Sequence, residues 1–190
     1  MTIINLGRVK LKPTLNTKLL TYFYTNPDSR LYLREIASIL ETDAGNLSKA
    51  LNRLVKEGVF LSEKRGNQKY FSLNKKYPLY EETKSIIFKT VGVKGGLGRI
   101  LSETAGIDVA FIYGSYAQKA ETATSDVDLI IVGAPDENKL MAKIDALEKA
   151  ISREINYTLY SKKEFDENRT KDSFIIKILK RPKIIIKGKL

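Results

Sequence analysis

Apolar residues recur every three or four positions in NTKLLTYFYT, residues 16–25, and the spacing predicts a helix. It should stop at Asn26-Pro27, because a proline drives the residue before it out of helical geometry. In LREIASIL, Leu33, Ile36, Ala37 and Leu40 share one helical face. Leu47, Leu51, Leu54 and Val55 form a third stripe, opened by Asp43 as a candidate N-cap and closed by Gly58. The period then changes: VFLSEKRGNQKYFSL reads as two short strands about a polar tip, Lys64-Arg65-Gly66-Asn67-Gln68. A linking helix follows from about Leu79 to Thr90, and then the glycines at 92, 95, 96 and 98. No Gly-Lys-Ser/Thr follows them and no buried strand precedes, so they read as a hinge or helix cap rather than a phosphate loop.

Past the glycines the pattern alternates between helix and strand. GGLGRILSET is helical, IDVAFIYG and SDVDLIIVG are strands, DENKLMAKIDALEKAISRE is a long amphipathic helix and INYTLYS a third strand. Helices follow in KEFDENRTKDSFIIKILK, and KIIIKG adds an edge strand. The division into domains is accordingly placed at residues 1–92 and 93–190. The fold class expected is α+β or α/β, with a helical, hairpin-bearing first domain and a second built on a mixed sheet flanked by helices.

Helix, helix, turn, helix and a hairpin with a basic tip is the order of a winged helix-turn-helix. Over roughly residues 14–75 the chain resembles winged-helix regulators of the ArsR and MarR type. The third helix supports this independently, since Asn46, Lys49, Arg53 and Lys56 lie opposite its leucines with Asn52 alongside. Such a face suits a major groove, where Asn and Arg read base edges and Lys neutralises phosphate. Lys64, Arg65 and Lys69 on the hairpin would reach the neighbouring backbone. The charge distribution points the same way. Residues 1–95 hold 17 Lys and Arg against 8 Asp and Glu, a net of +9, whereas residues 96–190 hold 16 against 14, a net of +2. Within the second half, residues 177–190 carry six positive charges and no negative one. Double-stranded DNA is therefore the expected partner of the first domain, and a homodimer the expected state, since winged-helix regulators bind palindromes as two-fold dimers. The segment RVKLK, with Arg8, Lys10 and Lys12, fits either a dimer strand or a basic arm.

Composition narrows the chemistry. The chain has neither histidine nor cysteine, which excludes imidazole acid–base catalysis, a Ser-His-Asp triad, thiolate nucleophiles and His- or Cys-ligated metals. Catalysis would have to run on carboxylates, hydroxyls, lysines or a bound hard cation. No apolar run approaches the roughly 18 residues that span a bilayer, and the N-terminus lacks the apolar core of a secretory signal, so no membrane is expected and the cytoplasm is the expected location.

One constellation fits a hard cation. In GSYAQKAETATSDVDLIIVG, residues 114–133, Asp126 and Asp128 stand two apart at the start of a strand and so project from one face, while Val127 and Leu129 enter the core on the other. Adjacent carboxylates repel unless a cation neutralises them, and oxygen-only ligands suit Mg²⁺ or Mn²⁺. Gly114 allows a close backbone approach, and Ser115 sits where a strand turns into a short helix, with its amide and hydroxyl available to phosphate oxygens.

Gly-Ser, ten residues, then Asp, apolar, Asp, apolar resembles the signature of the DNA polymerase β-like nucleotidyltransferases in their minimal form. Gly114, Ser115, Tyr116, Ala117, Ser125, Asp126, Asp128 and Leu129 carry the match, and the resemblance covers about residues 97–188. It implies attack of an acceptor hydroxyl on the α-phosphate of a nucleoside triphosphate, with release of pyrophosphate. It further implies that Asp126 and Asp128 are catalytic and bind the metal, while Gly114, Ser115 and Lys119 hold the nucleotide. Two departures are visible. Gln118-Lys119 stands where the minimal family has Arg-Gly, and Asn156 stands where a third aspartate is usual. An amide oxygen can ligate a metal, so Asn156 stays in the ligand set, but it brings no negative charge and cannot act as a general base. Glu154, two residues away, is the one nearby carboxylate on that strand's approach that could take its place.

Two functions follow. One is a DNA-binding protein that binds Mg-NTP and transfers a nucleoside monophosphate to a protein, tRNA or small-molecule acceptor. The other is a transcription regulator whose transferase domain is catalytically degenerate and serves as a nucleotide sensor or interaction module. A winged helix used for protein contacts alone is the bland alternative for the first domain.

Overall fold

The computed structural model describes residues 14–118 and 125–190, and the chain forms two compact units, Met1–Gly95 and Gly96–Leu190. The RVKLK segment lies outside the described residues.

In the first unit, helix α1 (Leu15–Thr25) opens on Thr14, whose hydroxyl accepts the Thr17 amide at 3.2 Å. Strand β1 is only Leu31–Tyr32, and helix α2 (Leu33–Ile39) follows at once, with the Glu35 carboxylate reaching back to the Tyr32 amide at 2.9 Å. Helix α3 (Ala44–Lys56) begins as expected, the Asp43 carboxylate accepting the Asn46 amide at 2.8 Å. It ends before Gly58, whose φ of 77° is the left-handed conformation that favours glycine. Strands β2 (Phe60–Arg65) and β3 (Gln68–Leu73) form the hairpin, and β1 pairs with β3 through Leu31↔Phe71 and Tyr32↔Tyr70. The polar tip is shorter than the sequence suggests. Lys64↔Lys69 and Arg65↔Gln68 are paired strand positions, leaving only Gly66-Asn67 to turn. Helix α4 (Tyr80–Thr90) closes the unit.

The three predicted stripes meet in one core. Leu19 and Phe23 of α1, Ile36 of α2, Leu47 and Leu51 of α3, and Phe60 and Phe71 of the hairpin are all buried in it. Phe23 and Phe60 meet edge-to-face at 4.8 Å between ring centres, the geometry in which a ring edge sits against a π face. With its leucines inside, α3 turns its polar face outward. Helices α1 to α3 and a three-stranded sheet ordered β1-β3-β2 follow the element order expected of a winged helix-turn-helix.

The glycine-rich stretch is a correction. Gly95, Gly96 and Gly98 lie inside a helix, α5 (Val93–Ser102), and only Gly92 precedes it. Close packing accounts for two of them: a Cβ at 96 would collide with the Leu147 side chain, and one at 95 with the Thr90 carbonyl, whereas one at 98 would meet open space.

The second unit carries a four-stranded mixed sheet ordered β6-β5-β4-β7. Strands β4 (Ile107–Tyr113) and β5 (Val127–Gly133) are antiparallel and central, with helix α6 (Gly114–Ala117) directly after β4. Helix α7 (Glu137–Ile151) leads to β6 (Ile155–Tyr160), which runs parallel to β5. Helices α8 (Lys162–Lys171) and α9 (Ser173–Lys180) precede β7 (Ile184–Lys187), the edge strand antiparallel to β4. Val127, Leu129 and Ile131 are buried on one face of β5. Ile130 and Val132 are buried on the other with Phe111 and, from α8 and α9, Phe165, Ile175 and Ile178. That second face is the one Asp128 shares, so α8 and α9 cover the sheet beyond the carboxylates.

Candidate active site and nucleic-acid surface

Strand register brings the predicted carboxylate site together. Asp128 is paired with Tyr113 on β4 and with Asn156 on β6, and Asp126 stands just before β5 begins. Asn156 turns its amide Nδ2 to Asp126 Oδ2 at 3.2 Å. Asp126 is exposed, whereas Asp128 is half-buried. Burial, and then the neighbouring Asp126, push the Asp128 carboxyl above the usual aspartate range. The Tyr113 hydroxyl is likewise raised, by burial first and by Asp128 next.

Gly114 closes the site from the β4 side. Its φ is 73°, and a Cβ there would collide with the Asp128 carboxylate. Only glycine answers both demands, a left-handed backbone and a carboxylate lying against its α-carbon. Ser115 follows in α6, whose four residues are too few for a substantial dipole, so the turn offers local hydrogen bonds rather than a helix field. Lys119 lies outside the described residues.

Arg153 is a site residue that sequence reasoning passed over. Ser152 ends α7 in the left-handed conformation, φ 50°, and turns the chain so that Arg153 points inward, 6% exposed. Its guanidinium donates to the Ser125 carbonyl and lies 5.7 Å from the centre of the Tyr116 ring. One buried cation thus ties the residue before Asp126 to the turn that carries Ser115. The signal was present as parity. Ile151, Arg153 and Ile155 alternate with exposed residues, so an arginine occupies an inward position that needs partners.

In the first unit, all eight residues proposed for DNA are exposed: Asn46, Lys49, Asn52, Arg53 and Lys56 on α3, and Lys64, Arg65 and Lys69 on the hairpin. Several have partners that the sequence did not reveal. Lys69 Nζ donates to Asn52 Oδ1 at 2.8 Å, joining hairpin to helix. Arg65 pairs with Glu63 at 3.1 Å, and Arg53 with Glu57 at 3.7 Å. A cleft of about 520 Å³ opens between α3 and the hairpin, lined by Asn52 and Lys69 together with Arg34, Ser48, Asn67 and Gln68. Arg34, at the start of α2, adds a cation there that helix spacing on α3 could not show.

Residues 97–188 match the family described as Polymerase beta, Nucleotidyltransferase. No curated protein matches the chain. Among solved structures, the chain is similar to a toxin–antitoxin crystallised with AMP-PNP (14% identity, 50% of this chain and 73% of that one, TM-score 0.38). It is also similar to the adhesin competence repressor AdcR of Streptococcus pyogenes (20% identity, 47% and 66%, TM-score 0.35). A third is TrmBL2, an archaeal chromatin protein (16% identity, 89% and 70%, TM-score 0.29).

Within the nucleotidyltransferase segment the donor set fits a hard divalent cation. Asp126 and Asp128 supply carboxylate oxygens, and Asn156 supplies an amide oxygen once the side chain rotates about its last torsion. Burial is the main cause of the raised Asp128 carboxyl, and the neighbouring Asp126 charge adds to it. Among the described residues there is no group of three or more Asp or Glu that could hold a metal, so the site keeps two carboxylates. Nor, among those residues, is any helix long and apolar enough to cross a membrane.

Proposed function

We propose that this protein binds double-stranded DNA through α3 and the hairpin, and that its nucleotidyltransferase segment binds a nucleoside triphosphate with Mg²⁺ or Mn²⁺ and transfers the nucleoside monophosphate to an acceptor hydroxyl. The observation that carries the second half is the convergence of Gly114, Asp126, Asp128 and Asn156, with the Asp128 carboxylate lying against the Gly114 backbone. Asp126 and Asp128 would hold the metal, with Asn156 as a neutral ligand. When bound, the metal would offset phosphate charge and stabilise the attacking and leaving oxygens. The Gly114–Ser115 turn would hold the phosphates, Lys119 would assist them, and Arg153 would keep that turn in place against Ser125. The acceptor belongs to one of three classes: a protein, a tRNA or a small molecule.

A second reading is a transcription regulator that senses the nucleotide without transferring it. The contact from Asn156 to Asp126 favours it, because an amide occupies the position from which a carboxylate could take the acceptor's proton. Incubation with α-labelled nucleoside triphosphates, Mg²⁺ or Mn²⁺ and candidate acceptors separates the two. Transfer in the wild type, lost in Asp126→Ala, supports the enzyme. Binding without transfer supports the sensor, and transfer gained in Asn156→Asp then identifies the missing carboxylate as the cause. Absence of any metal-dependent nucleotide binding refutes both readings.

A further inference from the structure

An exposed aromatic ring packs against Tyr113, the strand partner of Asp128, and takes no part in the core cluster. Phe174, the second residue of α9, is 48% exposed although large and apolar. Asp172 fixes its place by capping α9, its carboxylate accepting the Phe174 amide at 2.7 Å and the Ile175 amide at 3.3 Å. The ring meets Tyr113 edge-to-face, 6.0 Å between centres and 86° between planes. Tyr113 is the strand partner of Asp128 and precedes Gly114, so the aromatic pair begins where the proposed phosphate turn begins. On the outward side of α9, Lys177 follows Phe174 by three residues and is also exposed. Core packing does not call for this arrangement: Ile175 and Ile178 are the residues α9 buries, and Phe174 is left beside them with much of its ring in water.

We infer that Phe174, braced by Tyr113, is the platform on which the base of the bound nucleotide stacks. The inference rests on the reading that Asp126, Asp128 and the 114–115 turn hold a metal-bridged triphosphate. A nucleotide anchored there must place a flat aromatic group within reach of its phosphates, and an exposed ring adjoining the turn offers the surface such a group desolvates against. Stacking accepts any base because each has a π face, so the platform predicts affinity for nucleosides as a class rather than for one base.

Calorimetric titration of the full chain with MgATP and with magnesium tripolyphosphate tests this, because the second ligand has the phosphates and no base. The wild type should bind ATP more tightly than tripolyphosphate. Phe174→Ala and Phe174→Leu should each lose on the order of tenfold in ATP affinity and keep their tripolyphosphate affinity, while Phe174→Tyr retains both. The leucine variant preserves apolar volume, so its loss would show that the flat ring matters. Equal weakening toward both ligands, no weakening toward ATP, or a wild type that binds both ligands alike would overturn the platform while leaving the phosphate site standing. A wild type that binds neither ligand overturns the reading beneath it and the platform with it.

Discussion

Replacing Asp128 with asparagine removes one of two carboxylates that the fold holds together, and its consequences have opposite signs with and without metal. Two residues along a strand separate side chains by about 7 Å. At that distance two unit charges repel by about 0.6 kcal/mol in water and about 2.4 kcal/mol at an effective dielectric of 20. Asp128 is half-buried and Asp126 exposed, which places the pair between these limits, near 1 kcal/mol. The metal-free variant should therefore melt higher than the wild type, by about 4–8 °C for a unit of this size. The pH dependence follows from the raised Asp128 carboxyl. Between its unfolded value and its higher folded value, the folded chain holds a proton that the unfolded chain has released, so wild-type stability falls as pH rises through that window. The variant lacks this fall. Under the proposed function magnesium should reverse the ranking: at about a hundred times its dissociation constant a ligand adds about 2.7 kcal/mol to the folded state, and only the wild type would retain the paired charge to bind it. Scanning calorimetry of the full chain in EDTA and in MgCl₂ measures both effects. A metal-free variant no more stable than the wild type near neutral pH, together with an equal magnesium shift in the two proteins, would show that the carboxylates neither strain the fold nor hold a cation.

Gly114→Ala forces a left-handed alanine against a carboxylate; it should cost about 1–2 kcal/mol from the backbone alone and abolish magnesium-dependent stabilisation, read in the same melts. Lys49→Ala should weaken duplex binding at every sequence and reduce the slope of log affinity against log salt by about 0.9, in gel shifts titrated with salt; an unchanged slope would remove Lys49 from the phosphate contacts. Arg34→Ala should act in the same assay and direction, because the structure places that side chain on the α3–hairpin cleft.

Much of this architecture is written in periodicity. The stripe of Leu47, Leu51 and Leu54 named the buried face of α3, and with it the polar face opposite, because a helix fixes both at once. The Asp126-Val127-Asp128 alternation likewise set the two carboxylates apart from Val127, which is buried on the opposite face, and parallel pairing puts Asn156 beside Asp128, where the family resemblance had placed it. What escaped the sequence depended on packing between distant segments. β1 has two residues, too few to show alternation, and exists because β3 offers it an edge. The glycines of α5 have turn-forming composition, yet two of them sit in close contacts inside the helix, Gly95 against the Thr90 carbonyl and Gly96 against Leu147. Arg153 is charged at an inward position, and only the fold shows that Ser125 and Tyr116 receive it. The Lys69–Asn52 contact spans 17 residues and joins two elements whose facing sides periodicity could not relate.

Asn156 links the stability of this site to its chemistry. Neighbouring parallel strands lie about 4.8 Å apart, so a carboxylate at 156 would stand closer to Asp128 than Asp126 does. At about 5 Å each such repulsion is about 0.8–3.3 kcal/mol between the aqueous and the partly buried limits. The amide avoids that penalty and, by donating to Asp126, offsets part of the charge that a metal would otherwise balance. The same substitution removes a negative ligand and a proton acceptor. A site of this kind is better tolerated without metal and less equipped to deprotonate an acceptor, so metal-dependent binding and group transfer become separable properties. Under the proposed function, binding would persist on Asp126 and Asp128 alone, whereas transfer would depend on an acceptor whose hydroxyl loses its proton without help from residue 156.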